Sequence, residues 1–186
     1  MGRQEIAHAA LRLLNAKPTA SMAEIAAAGG VSRATLHRHF AGREDLVIHL
    51  GWMSIDSWRQ ALDESGIDEA TASGDPEQIR VSASALCSTL VRDAEEFGFT
   101  LTEPSLDDHA EIIAAAETER EREFRFIAAA QKAGVLRADM PVAWIDNALF
   151  GLLVGLRESM RHGEIAVSDA ERLLRESLLH GVAAPS

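Results

Sequence analysis

Five cationic or imidazole side chains crowd into "GGVSRATLHRHFAGREDL", Gly29 to Leu46: Arg33, His37, Arg38, His39 and Arg43. A guanidinium is a planar fork that donates in pairs to a guanine edge or to phosphate. Thr35 adds a methyl and a hydroxyl. Such groups behind a glycine turn suit a polyanionic groove, yet the 186-residue chain carries a formal net charge of -11. Residues 1–50 hold six Lys/Arg against four Asp/Glu, about +2, leaving about -13 for the rest, and four of the seven histidines also precede residue 51. This asymmetry implies an N-terminal part that meets something negative and a C-terminal part that does not. Contact needs only a local positive face, and the acidic remainder repels a polyanion from the wrong surface.

The elements that must position these groups are helical. No run alternates apolar and polar residues long enough to argue a strand, so the expected fold class is all-α, with about nine helices. Ile6, Ala9, Ala10, Leu13 and Leu14 follow the spacing of a first helix. Ser21 caps a second, with Glu24 completing a capping box, and Gly29 and Gly30 stop it. Ser32 caps a short third helix carrying Leu36 and Phe40, and a long fourth starts near Arg43. Ser65 to Asp75 reads as a loop. A fifth helix starts at Pro76, a short sixth follows Ser105, a seventh runs to Lys132, an eighth spans Pro141 to about Arg161, and Ser168 caps a ninth. Helices two and three with their glycine turn form a helix-turn-helix. Ile25, Ala26, Val31 and Leu36 pack the pair together and leave Arg33, Ala34, Thr35, His37 and Arg38 facing outward, suited to a DNA major groove. The helix N-termini at Ser21 and Ser32 offer free N–H groups to phosphate.

Residues 3–50 resemble the DNA-binding domain of the TetR family of transcriptional regulators. "SMAEIAAAGGVSRATLHRHFAGREDL" fits the family pattern "IA...GVS..TLY.HF..K..L" at nearly every fixed position. The resemblance implies that residue positions 37, 39 and 43 contact phosphate. His37 replaces the usual tyrosine and loses aromatic surface, whereas Arg43 replaces a lysine and keeps the charge. The basic N-terminal arm is reduced to Arg3, so weaker nonspecific DNA affinity is expected. Beyond residue 50 the likeness lies in the helical layout and in "KAGVLRADMP" before an apolar helix. It implies a helix-turn-helix DNA-binding domain at 1–46 and a helical regulatory and dimerisation domain at 47–186. The implied partners are a near-palindromic double-stranded operator, a second copy of the chain, and a small-molecule effector whose binding releases a repressor.

The eighth helix supports the dimer independently. Trp144, Ala148, Gly151 and Gly155 make a stripe of mostly small residues, beside a large apolar stripe that includes Leu152 and Leu156. A helix apolar over so wide an arc is buried on more than one side, and two interior glycines are best explained by close helix approach. Leu173, Leu174 and Leu178 of the ninth helix complete the expected intersubunit bundle. For the effector, Trp58, Leu86, Cys87, Leu90, Phe97, Phe99, Ile113, Phe124, Ile127 and Phe150 could line an apolar cavity or fill a core. His109, Arg120, Asn147 and Cys87 are the polar groups available to orient a ligand. Cys87 is a redox sensor or, more commonly for its setting, an inert core residue. Ile113, Ala116, Arg120, Phe124 and Ile127 share a helix face, so Arg120 interrupts an apolar stripe and needs a partner. That partner is a carboxylate such as Asp93 or Glu96, or the acidic head of an apolar ligand, unless a helix break near Thr118 turns Arg120 to solvent. "ETEREREFR", Glu117 to Arg125, reads mostly as a solvated charge run.

Composition restricts the remaining classes. A hydrophobic fraction of 47% with 25% charged residues describes an ordinary globular protein. The single cysteine excludes an internal disulfide and a cysteine-cluster metal site. Met1 to Leu14 has no signal-peptide pattern, and the apolar stretch Ala148 to Leu156 is too short to cross a bilayer, so a cytoplasmic protein without a membrane partner is expected. His37 and His39 point in different directions on a helix, and no metal or other cofactor is expected. No nucleophile elbow, phosphate loop or metal triad suggests an enzyme. The competing class is a helical protein-interaction module that binds neither DNA nor ligand.

Overall fold

The computed structural model describes residues 2–182. Within them lie nine α-helices and no strand: α1 (Arg3–Ala16), α2 (Met22–Ala28), α3 (Arg33–His39), α4 (Arg43–Ser65), α5 (Ile67–Ser73), α6 (Pro76–Phe97), α7 (Ala110–Lys132), α8 (Val142–Arg161) and α9 (Val167–Val182), with 3-10 turns at Thr100–Thr102 and Pro104–Asp108. The all-α expectation holds. Two details differ. The stretch read as a loop contains α5, bracketed by Gly66 and Gly74, because Ile67 and Ala70 are buried. Seven residues are too few to display a helical period, so tertiary burial rather than pattern creates this helix. The expected short sixth helix is a 3-10 turn led by Pro104.

Local chemistry builds the N-terminal third. The Ser21 hydroxyl accepts from Glu24 N at 3.3 Å, while Ser21 N donates to Glu24 Oε2 at 2.8 Å. Ser32 accepts from Thr35 N at 3.1 Å. Gly30 takes φ +63°, a conformation cheap only for glycine, and lets Val31 N reach Ala26 O at 3.0 Å. Leu36 and Phe40 are wholly buried beneath α3, in a cluster with Ile6, Leu14, Ile25, Leu46 and Leu50.

That cluster does not stop at residue 46. It continues along α4 through Met53 and Ile55 and takes in Phe97, Phe99, Leu106 and Ile112. A second cluster, between α4, α5, α6, α7, α8 and α9, includes Leu62, Ile67, Ile79, Leu90, Phe126, Leu149 and Leu174. The α4 helix belongs to both. An ionic network reinforces the second: Arg59 of α4 donates to Glu119 of α7 at 2.7 Å, and Arg122 bridges Glu119, Asp63 and Asp68.

The end of α6 is the tightest meeting point. A helix leaves its last four carbonyls without intrahelical partners. Asn15 of α1 donates from Nδ2 to Glu95 O at 3.2 Å and to Glu96 O at 2.7 Å, and its Oδ1 accepts from Phe99 N at 2.7 Å. Thr100 Oγ1 donates to Phe97 O at 2.7 Å. His8 Nδ1 of α1 lies 3.2 Å from Glu96 Oε1. Arg157 of α8 is buried against Gly98 and donates to Thr102 Oγ1 at 3.2 Å. A Cβ at Gly98 would lie 2.5 Å from Arg157 Nε and 2.6 Å from Ala94 O. Gly98→Ala is therefore expected to lower stability by about 1–3 kcal/mol through overpacking, measurable as a lower urea midpoint at unchanged m-value.

Candidate functional site

Two candidate sites stand out. The first is the outer face of α3. Arg33, Ala34, His37 and Arg38 are exposed, Thr35 and His39 half-buried, and Leu36 and Phe40 hold the helix down from behind. The hydroxyls of Ser32 and Thr35 lie 3.0 Å apart. Arg43 behaves differently from its neighbours. Its guanidinium donates to Ala20 O at 2.7 Å and Pro18 O at 2.6 Å, closing the α1–α2 loop onto the start of α4. Arg3 lies 4.6 Å over the Phe40 ring and pairs with Asp45 at 3.3 Å.

The second is a cavity of about 450 Å³ between α4, α6, α7 and α8, within the range of small-molecule sites. Its apolar wall comes from Trp58, Leu90, Ala94, Leu101, Leu149, Phe150 and Leu153. Its polar wall is acidic: Asp93, Asp107, Glu117, Glu123 and Asp146, with Ser54, Asn147 and a single cation, Arg120. Arg120 donates to Asp146 Oδ2 at 3.0 Å and to Asn147 Oδ1 at 3.2 Å, with Glu117 at 3.7 Å and the Phe124 ring at 4.9 Å. Trp58 Nε1 donates to Glu123 Oε1 at 3.2 Å. Burial, with the Asp146 charge beside it, pushes the Glu123 carboxyl up to about 8. Burial likewise raises Asp93 to about 6, against the opposing pull of the Ser57 hydroxyl.

Residues 6–50 match the family model described as "Bacterial regulatory proteins, tetR family". The HTH-type transcriptional regulator NfxB of Pseudomonas aeruginosa is 29% identical over 173 residues, covering 91% of this chain and 88% of that protein. The HTH-type transcriptional repressor LfrR of Mycolicibacterium smegmatis is 27% identical over 165 residues, covering 87% and 80%. The chain belongs to the TetR family of transcriptional regulators. It is a DNA-binding regulator, and its relatives are not enzymes. The fold of this TetR-family chain matches the crystal structure of LfrR from Mycobacterium smegmatis in complex with proflavine, with TM-score 0.77, 22% identity and coverage of 98% and 97%. It also matches a putative transcriptional regulator from Saccharomonospora viridis in complex with choline, with TM-score 0.66, 21% identity and coverage of 98% of both chains.

The expected pocket residues of this TetR-family protein separate into distinct places. Trp58, Leu90, Arg120, Asn147 and Phe150 line the cavity. Leu86, Cys87 and Ile127 instead surround a void of about 40 Å³ and are packed core. Burial pushes the Cys87 thiol up to about 11, so it is the inert alternative that applies. Phe97 and Phe99 are buried in the cluster under the helix-turn-helix. His109 is the N-cap position of α7, without a side-chain cap bond. Ile113 is 41% exposed, and Phe124 turns to an open outer groove with Ala128 and Val142. The corrections at Ile113 and Phe124 share one cause. The buried face of α7 is Ile112, Glu119, Glu123, Phe126, Ile127 and Ala130, not the Ile113–Phe124 stripe. Arg120 does meet a carboxylate, but on α8, and neither Asp93 nor Glu96. The charge run is also only partly solvated, since Glu119 and Glu123 are buried.

Sequence reasoning missed Glu123 and Asp146, and it named Asp93 only as a partner for Arg120, not as part of the cavity wall. The signal was available for two of the three: Asp93 falls between Leu90 and Phe97, and Asp146 lies three residues before Leu149, each interrupting an apolar stripe as Arg120 was noted to do. Arg43, expected at phosphate, holds the Ala20 and Pro18 loop carbonyls with its guanidinium. Leu174 is wholly buried within the protomer and is core, not interface; Leu152, Leu156 and Leu178 also pack against that core. Glu123 has a folded-state affinity for protons above its unfolded value. Its contribution is present below the unfolded pKa and lost as pH rises through about 8. Glu123→Gln is accordingly expected to gain about 1–3 kcal/mol over wild type near pH 8 and nothing below about pH 5, read from urea unfolding across that range.

Proposed function

We propose that this TetR-family regulator is a cytoplasmic homodimeric repressor that leaves a near-palindromic operator when a small, mostly apolar ligand enters the cavity. Residues 1–46 act as the DNA-reading unit and 47–186 as the regulatory and dimerisation unit. One observation carries the reading. The α6 helix lines the cavity with Leu90, Asp93 and Ala94, and one turn later its backbone is held by Asn15 of α1. A ligand that favours one position of α6 thereby favours one position of the helix-turn-helix. A coupling of about 1–3 kcal/mol is enough for a useful switch. LfrR is itself named a repressor, and the proflavine and choline complexes among the fold relatives support a ligand response.

Arg33, Ala34, Thr35, His37 and Arg38 are the assigned groove contacts, with Ser21, Ser32 and His39 beside the flanking phosphates. An operator selected from random duplexes provides the test. On it, Arg33→Ala should cost about 1–3 kcal/mol per subunit and relax preference at one base position. Arg43→Ala should instead weaken binding to every duplex and lower the thermal stability of the protein, because it frees the loop before α2. Equal, sequence-independent losses from both variants would refute the base-reading role of Arg33.

The dimer is assigned to the outer stripe of α8. Trp144 is 60% exposed in the protomer, and Gly151 and Gly155 have nothing within 4 Å of a Cβ position. Leu173 of α9, half-buried in the protomer, is assigned to the same interface. Gly151→Leu consequently has room within the protomer, and the expected product in sedimentation is a folded monomer with weakened operator affinity. A stable dimer from this variant places the interface elsewhere.

A further inference from the structure

The cavity's own chemistry specifies the charge of its ligand. Among the described residues, Asp93 Oδ1 is the buried side-chain oxygen or nitrogen atom left without a hydrogen-bond partner, in a residue only 8% exposed. An unpaired buried carboxylate oxygen is costly and native proteins rarely leave one without purpose. The only cation in the wall offers no relief. Arg120 is already engaged by Asp146, Asn147 and Glu117. Glu123 stands in the same wall with one oxygen on Trp58, and Asp107 and Glu117 lie exposed at the rim. Aromatic rings, Trp58 and Phe150, stand among these acids, and ring faces attract cations.

Resting on the reading of this cavity as the effector site, we infer that the effector is a lipophilic organic cation, seated with its charge against Asp93 and Glu123 and its apolar body against the leucines. A carboxylate ligand, the alternative that Arg120 suggested from sequence, would face five acids and one arginine already spent. Binding then has a proton signature. Asp93 and Glu123 hold protons more tightly than ordinary carboxyls, and a cation favours their ionised forms. The groups that face them are Ser54, Ser57 and Trp58 from α4, Glu96 from α6, Glu117 and Arg120 from α7, Asp146 and Asn147 from α8, and Asp107 from the 3-10 turn. None of these supplies a free positive charge, so cation affinity rises between pH 6 and pH 8 and binding releases protons to the buffer.

The test uses two probe sets that vary charge on a fixed body: 9-aminoacridinium, acridine and acridine-9-carboxylate, and tetraphenylphosphonium against tetraphenylborate. Titration calorimetry of the full chain, in buffers of different ionisation enthalpy, is expected to show that a cation binds at least tenfold more tightly than its neutral or anionic counterpart, with net proton release at pH 7. Asp93→Asn should remove most of that preference while retaining affinity for neutral acridine, and Glu123→Gln should abolish most of the proton release. The pair of variants keeps the test informative if one misfolds, as urea unfolding would reveal. Neutral or anionic bodies binding as well as cations, an unchanged cation preference in Asp93→Asn, or binding of none of the probes would overturn the assignment. Operator binding is measured separately by mobility shift. Cations that bind without releasing DNA would leave the charge assignment standing and refute release by ligand; failure of wild type to bind DNA would refute the repressor reading alone.

Discussion

The carbonyls at the C-terminal end of α6 need partners, and much of the structure is organised around meeting that need. Glu95 and Glu96 carbonyls receive both N–H groups of Asn15, and the same side chain returns an acceptor to Phe99 N. One amide on the last turn of α1 thus satisfies three backbone groups on another element. Gly98 leaves space for Arg157 of α8 to lie against the same turn. A helix end tied to two other helices by directional bonds cannot slide by small amounts without breaking them. It moves with its partners or not at all, which is how packed elements become discrete switches.

That constraint gives the acidic cavity its leverage. Leu90, Asp93 and Ala94 sit on the last turns before the clamp. In the proposed switch, electrostatic work done on Asp93 would reach the part of α6 that α1 holds, through a rigid element with a bond at its end. The α4 helix offers a parallel connection, since its first half packs beneath α3 and its second half carries Ser54 and Trp58 of the cavity wall.

Acidic residues in the C-terminal part do more than repel DNA. Glu119 is buried but doubly paired, to Arg59 and Arg122, and joins α4, α5 and α7. Such networks add little net stability over a hydrophobic replacement, but they penalise misaligned packing because a lost partner strands a buried charge. Asp146 is paired in the same manner by Arg120. Among the described residues Asp93 and Glu123 make no ion pair, and that difference sets them apart from Asp146 in the same cavity wall.

The helix-turn-helix was legible in the sequence because its determinants are local. Ser21 with Glu24, Ser32 with Thr35, and the positive φ at Gly30 each act within three or four residues, so the boundaries of α2 and α3 and the outward set Arg33, Ala34, His37 and Arg38 follow from residue type and spacing. The wide apolar arc of α8 was legible for the same reason. Other features needed the tertiary structure. Consecutive residues on a helix differ by about 100°, so reading the α7 stripe from Ile113 instead of Ile112 rotates the face, turning inward an Ile113 that the structure exposes and outward a Glu123 that it buries. The short α5 exists because Ile67 finds a core, and Arg43 turns inward because the Pro18 and Ala20 carbonyls come within its reach. Arg120 with Asp146 and Asn15 with Glu96 are pairs 26 and 81 residues apart. Their partners are set by where helices meet in space, which no local spacing encodes.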